Sequence, residues 1–68
     1  MSDDDNQIKI TIFGQEYSVK APADPTYIKE IAEYVDSKMR EVQSGFSSTQ
    51  SSNRIAILSA MNITDELF

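Results

Sequence analysis

Asp24-Pro25-Thr26-Tyr27-Ile28-Lys29-Glu30-Ile31-Ala32-Glu33-Tyr34-Val35-Asp36-Ser37-Lys38-Met39-Arg40-Glu41-Val42 carries a start signal, a sustained period and a stop. Asp24 is placed to cap the first free backbone N–H groups. Pro25 falls at the first helical position, where its missing N–H costs nothing. Ile28, Ile31, Ala32, Val35, Met39 and Val42 recur at helical spacing. With Tyr27 they fill an arc of about 140° at roughly 100° per residue. Lys29, Glu30, Glu33, Asp36, Ser37, Arg40 and Glu41 occupy the other side, and Ser44-Gly45 closes the run. A helix with one apolar stripe needs a surface to bury it, and the flanking sequence must supply that surface.

Upstream, the period switches to two. Ile8, Ile10 and Ile12 alternate with Lys9, Thr11 and Phe13, and Tyr17 and Val19 resume the alternation after Gly14-Gln15. Reading Gly14-Gln15 as a type II′ turn, which wants glycine first, predicts a hairpin. In that register Ile12 faces Tyr17, Ile10 faces Val19 and Ile8 faces Ala21 on one side. Lys9 with Lys20 and Thr11 with Ser18 lie on the other, and Phe13 points outward. The apolar face of the hairpin matches the stripe of the helix, so the predicted core is one against the other. A lone hairpin with two free edges is marginal even so, and more material must come from elsewhere.

Downstream, Ser44 to Asn53 holds five serines, a glycine, Thr49 and the single aromatic Phe46, which is loop composition with Phe46 as an anchor. A second helix is predicted from about Asn53, capped by Ser51, Ser52 or Asn53. Ile63, Ala56, Leu67, Ala60, Ile57, Phe68 and Met61 fill an arc of about 160°, and Ile55 and Leu58 lie on another side. A helix apolar on two sides is buried on two sides: one completes the core, the other meets a second chain. Ile57, Ala60, Met61, Leu67 and Phe68 are the candidate dimer contacts. Asp65 and Glu66 oppose the helix dipole in what would be a last turn, and the end lacks a glycine or basic cap. The spacing therefore predicts a helix that continues past Phe68 as a coiled coil. The fold class is α+β with order β-β-α-α, divided into an acidic leader (1–6), a hairpin-helix head (7–43), a serine-rich loop (44–53) and a dimerisation helix (54–68).

Bulk composition narrows the function. The chain has 68 residues, enough for one small domain that buries only about 60% of its unfolded surface, so oligomerisation is a natural aid. It has no cysteine and no histidine, which excludes disulfides, the usual zinc sites and His-dependent nucleophilic triads. Glu30 with Glu33, or Asp65 with Glu66, would need a substrate cleft to act as acid and base, and so short a chain leaves little room for one. No enzyme activity, cofactor or metal is expected. Eleven acidic against six basic residues give a net charge of −5, which disfavours nucleic acid and anionic membranes as partners. Asp3, Asp4 and Asp5 in the leader read as solvated charge. No secretory signal or long apolar run is seen, which suggests a cytoplasmic protein. Lys29/Glu33, Asp36/Arg40 and Lys38/Glu41 read as pairs on a solvated face.

Taken together, four stretches resemble the ZapA family of bacterial cell-division proteins. They are Ile8-Lys9-Ile10-Thr11-Ile12-Phe13-Gly14 with its second strand, the helix around Ile31-Ala32-Glu33-Tyr34-Val35-Asp36-Ser37-Lys38-Met39, the Ser/Thr-rich connector, and Arg54-Ile55-Ala56-Ile57-Leu58-Ser59-Ala60-Met61-Asn62-Ile63-Thr64-Asp65-Glu66-Leu67. The last is similar to the family's stretch ending in Leu-Asn-Ile and Glu-Leu. The resemblance implies a globular head followed by a long helix, homodimers that become tetramers through the coiled coil, and a head that binds FtsZ, the tubulin-like division GTPase. Its implied role is to cross-link FtsZ filaments at the mid-cell Z-ring during septation, without catalysis or cofactor. Basic side chains near the hairpin tip and the end of the first helix contribute to that contact in some relatives. Here the tip carries Gln15 and Ser18, and only Lys38 and Arg40 supply positive charge nearby; Gln15, Lys38, Arg40 and Glu41 are the candidate partner contacts. Two rival readings share the fold: a generic oligomerisation or adaptor module unrelated to division, and a dimeric DNA binder, for which the hairpin's outer face offers only Lys9 and Lys20.

Overall fold

The computed structural model describes residues 7–22 and 24–68; the acidic leader and Ala23 lie outside the described residues. Strand β1 (Gln7–Ile12) and strand β2 (Gln15–Lys20) form an antiparallel hairpin, followed by helix α1 (Pro25–Ser44) and helix α2 (Ser52–Glu66). This is the α+β, β-β-α-α architecture expected from the sequence. Asp24 accepts the Thr26 N–H at 3.4 Å with Pro25 in the first helical turn, so α1 begins as its cap predicts. Ser51 caps α2 by accepting the Arg54 N–H at 3.1 Å.

The hairpin departs from expectation at its turn. The central residues are Phe13 (φ 53°) and Gly14 (φ 80°), a type I′ pattern, rather than Gly14-Gln15 in type II′. The register is therefore Ile8 opposite Val19, Ile10 opposite Tyr17, and Ile12 opposite Gln15. A shift of two residues preserves the faces, so the apolar side survives the correction. It also replaces the expected Lys9–Lys20 pairing with Lys9 opposite Ser18 and Gln7 opposite Lys20, which removes a like-charge cross-strand pair. The cost is a phenylalanine in the left-handed region, roughly 1–2 kcal/mol for a residue with a Cβ. Two side chains of α1 hold it there. Asp36 Oδ1 accepts the Phe13 N–H at 2.6 Å, and the Arg40 guanidinium lies 5.8 Å from the Phe13 ring centre. Phe13 is thus half-buried at a tertiary contact and does not simply point outward.

Helix α1 packs on β1 along one flank and on α2 along another. Ile8, Ala32, Met39 and Ile55 are the buried hydrophobic residues among those described. Ile55 is fully buried, which contributes about 2 kcal/mol. Ser59 is buried beside it, and its hydroxyl donates to the Ile55 carbonyl at 2.7 Å, so this polar group is satisfied within α2. Tyr27 and Ile31, assigned to the stripe by spacing, are exposed. Two strands and one helix do not reach around the whole arc. Phe46 is half-buried in the connecting loop, with the Arg54 guanidinium 6.0 Å from its ring centre.

Two substitutions test this account. Gly14→Ala would place a Cβ in open space, so its cost is the positive φ alone and should be about 1–2 kcal/mol. Ile55→Ala should cost about 2–5 kcal/mol, because it empties a fully enclosed site. Urea unfolding followed by circular dichroism reads both.

Candidate interaction surface

The sequence-derived partner residues separate into two places. Gln15 and Arg40 flank the hairpin tip. The Arg40 Nε donates to Asp36 Oδ2 at 2.8 Å while its guanidinium covers Phe13, and Gln15 Oε1 accepts the Tyr17 hydroxyl at 3.3 Å. Lys38 lies about 200° around α1 from Arg40. It reaches α2, with Nζ 2.5 Å from Glu66 Oε2 and 4.0 Å from Glu41 Oε1. Glu41 is largely exposed beside it. One continuous patch of all four residues is not formed.

Both charge clusters do structural work that helical spacing does not reveal. Asp36/Arg40 is a solvated-looking pair in the sequence, yet Asp36 spans from α1 to the hairpin backbone. The Arg40 hydrogen bond, then the Phe13 N–H, holds the Asp36 carboxyl below its ordinary range. At the other end, Glu66 accepts from Lys38 and from the Tyr34 hydroxyl at 2.5 Å, and the Lys38 ammonium stacks 5.4 Å from the Tyr34 ring centre. The Lys38 hydrogen bond, followed by that of Tyr34, lowers the Glu66 pKa; the Glu66 hydrogen bond in turn raises both Lys38 and Tyr34. Phe13, Tyr34, Asp36 and Glu66 are therefore contact residues that the sequence reading missed. Tyr34 and Glu66 are 32 positions apart, and no local pattern joins them.

Two apolar surfaces remain open. The first is the outer side of α2, where Ile57, Ala60, Met61, Thr64, Asp65 and Phe68 line a shallow depression. Ile57 is 54% exposed, Met61 64% and Phe68 98%. Leu67 is also exposed but stands at the helix C-cap, outside that depression. The second is a groove of about 620 Å³ between the apolar face of the hairpin, α1 and the first turns of α2. Its walls include Ile10, Ile12, Tyr17, Val19, Val35, Met39 and Ala56. Among the described residues no acidic, histidine or cysteine cluster is placed to hold a metal, and no helix is long and apolar enough to cross a membrane.

This arrangement of hairpin, capped helix and second helix has counterparts. The family described as cell division protein ZapA matches residues 8–68. The chain belongs to the ZapA family of cell division proteins. It is 38% identical over 58 residues to the cell division protein ZapA of Halalkalibacterium halodurans, covering 85% of this chain and 63% of that protein. With the ZapA protein of Shouchella clausii it shares 37% identity over 57 residues, covering 84% and 72%. The chain thus spans between three-fifths and three-quarters of these relatives' length. Its fold is similar to a ZapA mutant dimer from Geobacillus stearothermophilus, with a TM-score of 0.75 and 28% identity over 90% of this chain and 70% of that one. A conserved bacterial protein of unknown function from Pseudomonas aeruginosa PAO1 superposes with a TM-score of 0.78 and 33% identity, covering 91% and 68%.

The Glu66 cluster sets a pH window for the stability of this chain. A depressed carboxyl contributes stability that is full above its ordinary value near 4.5 and is lost as pH falls through the lowered folded value. The raised Lys38 and Tyr34 contribute stability that is full below their ordinary values near 10.5 and 10.0 and is lost as pH rises through the raised ones. Glu66→Gln should therefore lower the urea midpoint between these limits, and its difference from the unchanged chain should shrink at both extremes.

Proposed function

We propose that this ZapA-family chain is a non-catalytic division protein that forms a homodimer through the outer side of α2. Its head binds FtsZ filaments in the cytoplasm at the mid-cell ring and promotes their bundling, with tetramers formed where the helix continues as a coiled coil. The family match across residues 8–68 carries this reading, because it covers the hairpin, α1 and α2 together. The exposed Ile57, Met61 and Phe68 support the dimer: a domain this small gains stability by covering such a surface with its own kind. The absence of histidine and cysteine from the sequence agrees with a binding role.

Within the head, the tip residues Gln15 and Arg40 and the exposed Glu41 are the proposed partner contacts. Lys38 is the least available, since its ammonium is already shared with Glu66 and Glu41. Co-sedimentation with GTP-polymerised FtsZ tests the reading. The chain should pellet with filaments, and Arg40→Glu should weaken retention by about tenfold, a change of roughly 1.4 kcal/mol. Met61→Asp should convert the dimer to monomer in sedimentation velocity. A chain that dimerises yet stays in the supernatant at all concentrations would instead be a plain oligomerisation module.

A further inference from the structure

We infer that Asp36 is a positioning residue for the partner contact at the hairpin tip: its carboxylate selects one of two turn registers open to the hairpin, and so fixes where Gln15 stands relative to Arg40. The inference rests on the reading that the tip meets FtsZ, and it adds what holds the tip in shape. Three observations carry it. First, the chain has two ways to turn around Gly14. Phe13-Gly14 makes the type I′ turn of this structure, and Gly14-Gln15 would make a type II′ turn, with glycine at a position that suits either type. Passing from one to the other slides β2 by two residues, about 7 Å, and keeps every side chain on its own face. β1 packs on α1, whereas β2 is exposed along its length except for half-buried Val19, so the slide withdraws little surface from the core.

Second, backbone preference favours the other register. The turn formed puts Phe13 at φ 53°, in the left-handed region that a side chain with a Cβ disfavours. The alternative would return Phe13 to extended backbone. Against it stands only the pairing of Lys9 with Lys20 across an exposed face of the hairpin. Third, the contact that offsets the Phe13 conformation exists in one register alone. Asp36 Oδ1 accepts the Phe13 N–H at 2.6 Å while Oδ2 accepts Arg40 Nε at 2.8 Å. The Arg40 guanidinium lies 5.8 Å from the Phe13 ring centre. In the alternative, Phe13 would leave the turn to pair with Glu16, turning its N–H toward β2 and away from Asp36. Gln15 would move from its place opposite Ile12 into the turn, changing the surface presented beside Arg40.

Asp36→Ala tests this by nuclear magnetic resonance and by co-sedimentation with GTP-polymerised FtsZ. In the unchanged chain, cross-strand Hα contacts should join Thr11 to Glu16 and Lys9 to Ser18. In the variant they should join Ile12 to Tyr17 and Ile10 to Val19, with retention on filaments about tenfold weaker. Phe13→Asn builds an Asn-Gly turn that takes the type I′ form unaided, so adding it to Asp36→Ala should restore the first set of contacts. In the Phe13→Asn background, Asp36→Ala should change retention by less than about twofold, which a direct contact between Asp36 and the partner would not permit. Unshifted contacts in a folded Asp36→Ala chain overturn the proposal, and so does a tenfold loss that persists in the Phe13→Asn background. Where Asp36→Ala alone fails to fold, the double variant decides: the first set of contacts bears the proposal out, and any other state overturns it. An unchanged chain that never pellets overturns the FtsZ reading, while the Hα contacts still decide whether Asp36 selects the register.

Discussion

Helix α1 must serve two partners at once, and the shape of the head follows from that constraint. Strand β1 packs against one flank and α2 against another, while the hairpin and α2 have little direct contact. Ala32 and Met39 are the buried residues of α1: one small enough for close approach, the other flexible enough to fill the space between elements. Because α1 stands as a spacer, hairpin and α2 splay from it and leave an apolar cleft between them. The cleft is a consequence of element order, since two strands of six residues cannot both pair with each other and wrap two helices.

The polar side of α1 then fixes how the two partners sit. Near its middle, Asp36 grips the hairpin at the backbone N–H of Phe13, the one non-glycine residue with positive φ among those described. Little more than half a turn further, Lys38 takes hold of Glu66 at the far end of α2. Each grip pairs a carboxylate with a cation and with a second donor, Phe13 N–H in one case and the Tyr34 hydroxyl in the other. Exposed ion pairs contribute little individually. The Lys38–Glu66 pair joins α1 to α2, and Asp36, paired with Arg40 inside α1, joins that helix to the hairpin through the Phe13 N–H, so both contacts set orientation where the thin core underneath specifies it weakly.

Much of this was legible in the sequence because it depends on local chemistry. Asp24-Pro25 announces where α1 begins and the Ser51-Ser52-Asn53 cluster where α2 does, with Ser51 forming the cap among those three. The alternation of Ile8, Ile10 and Ile12 fixes which side of the hairpin is apolar irrespective of the turn, since moving the register by two restores the same faces. The turn itself was misread for a physical reason. One glycine fits either the first position of type II′ or the second of type I′, and the second demands an unusual φ of Phe13. What allows it is the Asp36 carboxylate, 23 positions away, which no local rule brings to the tip. The Tyr34–Glu66 contact is hidden in the same way by the relative placement of two helices. The apolar surplus on α2 was visible, because a helix with greasy residues beyond one stripe declares a second surface without saying what meets it.

That surplus also explains why a head with so small a core is a sensible unit. Among the described residues four hydrophobic side chains are buried, while eight large ones are exposed. Scattered exposure of single apolar residues is ordinary on any protein. Here Ile57, Met61 and Phe68 share one face of α2, and Tyr17 borders the cleft that opens beside it. Contiguous apolar surface of this kind marks an interface. In the proposed dimer, stability and assembly draw on the same residues: covering the α2 face would supply burial that the isolated chain lacks, so folding and pairing would reinforce each other. The hairpin tip is held from α1 by Asp36 and Arg40, and its Phe13 and Gln15 stand at the rim of the apolar cleft.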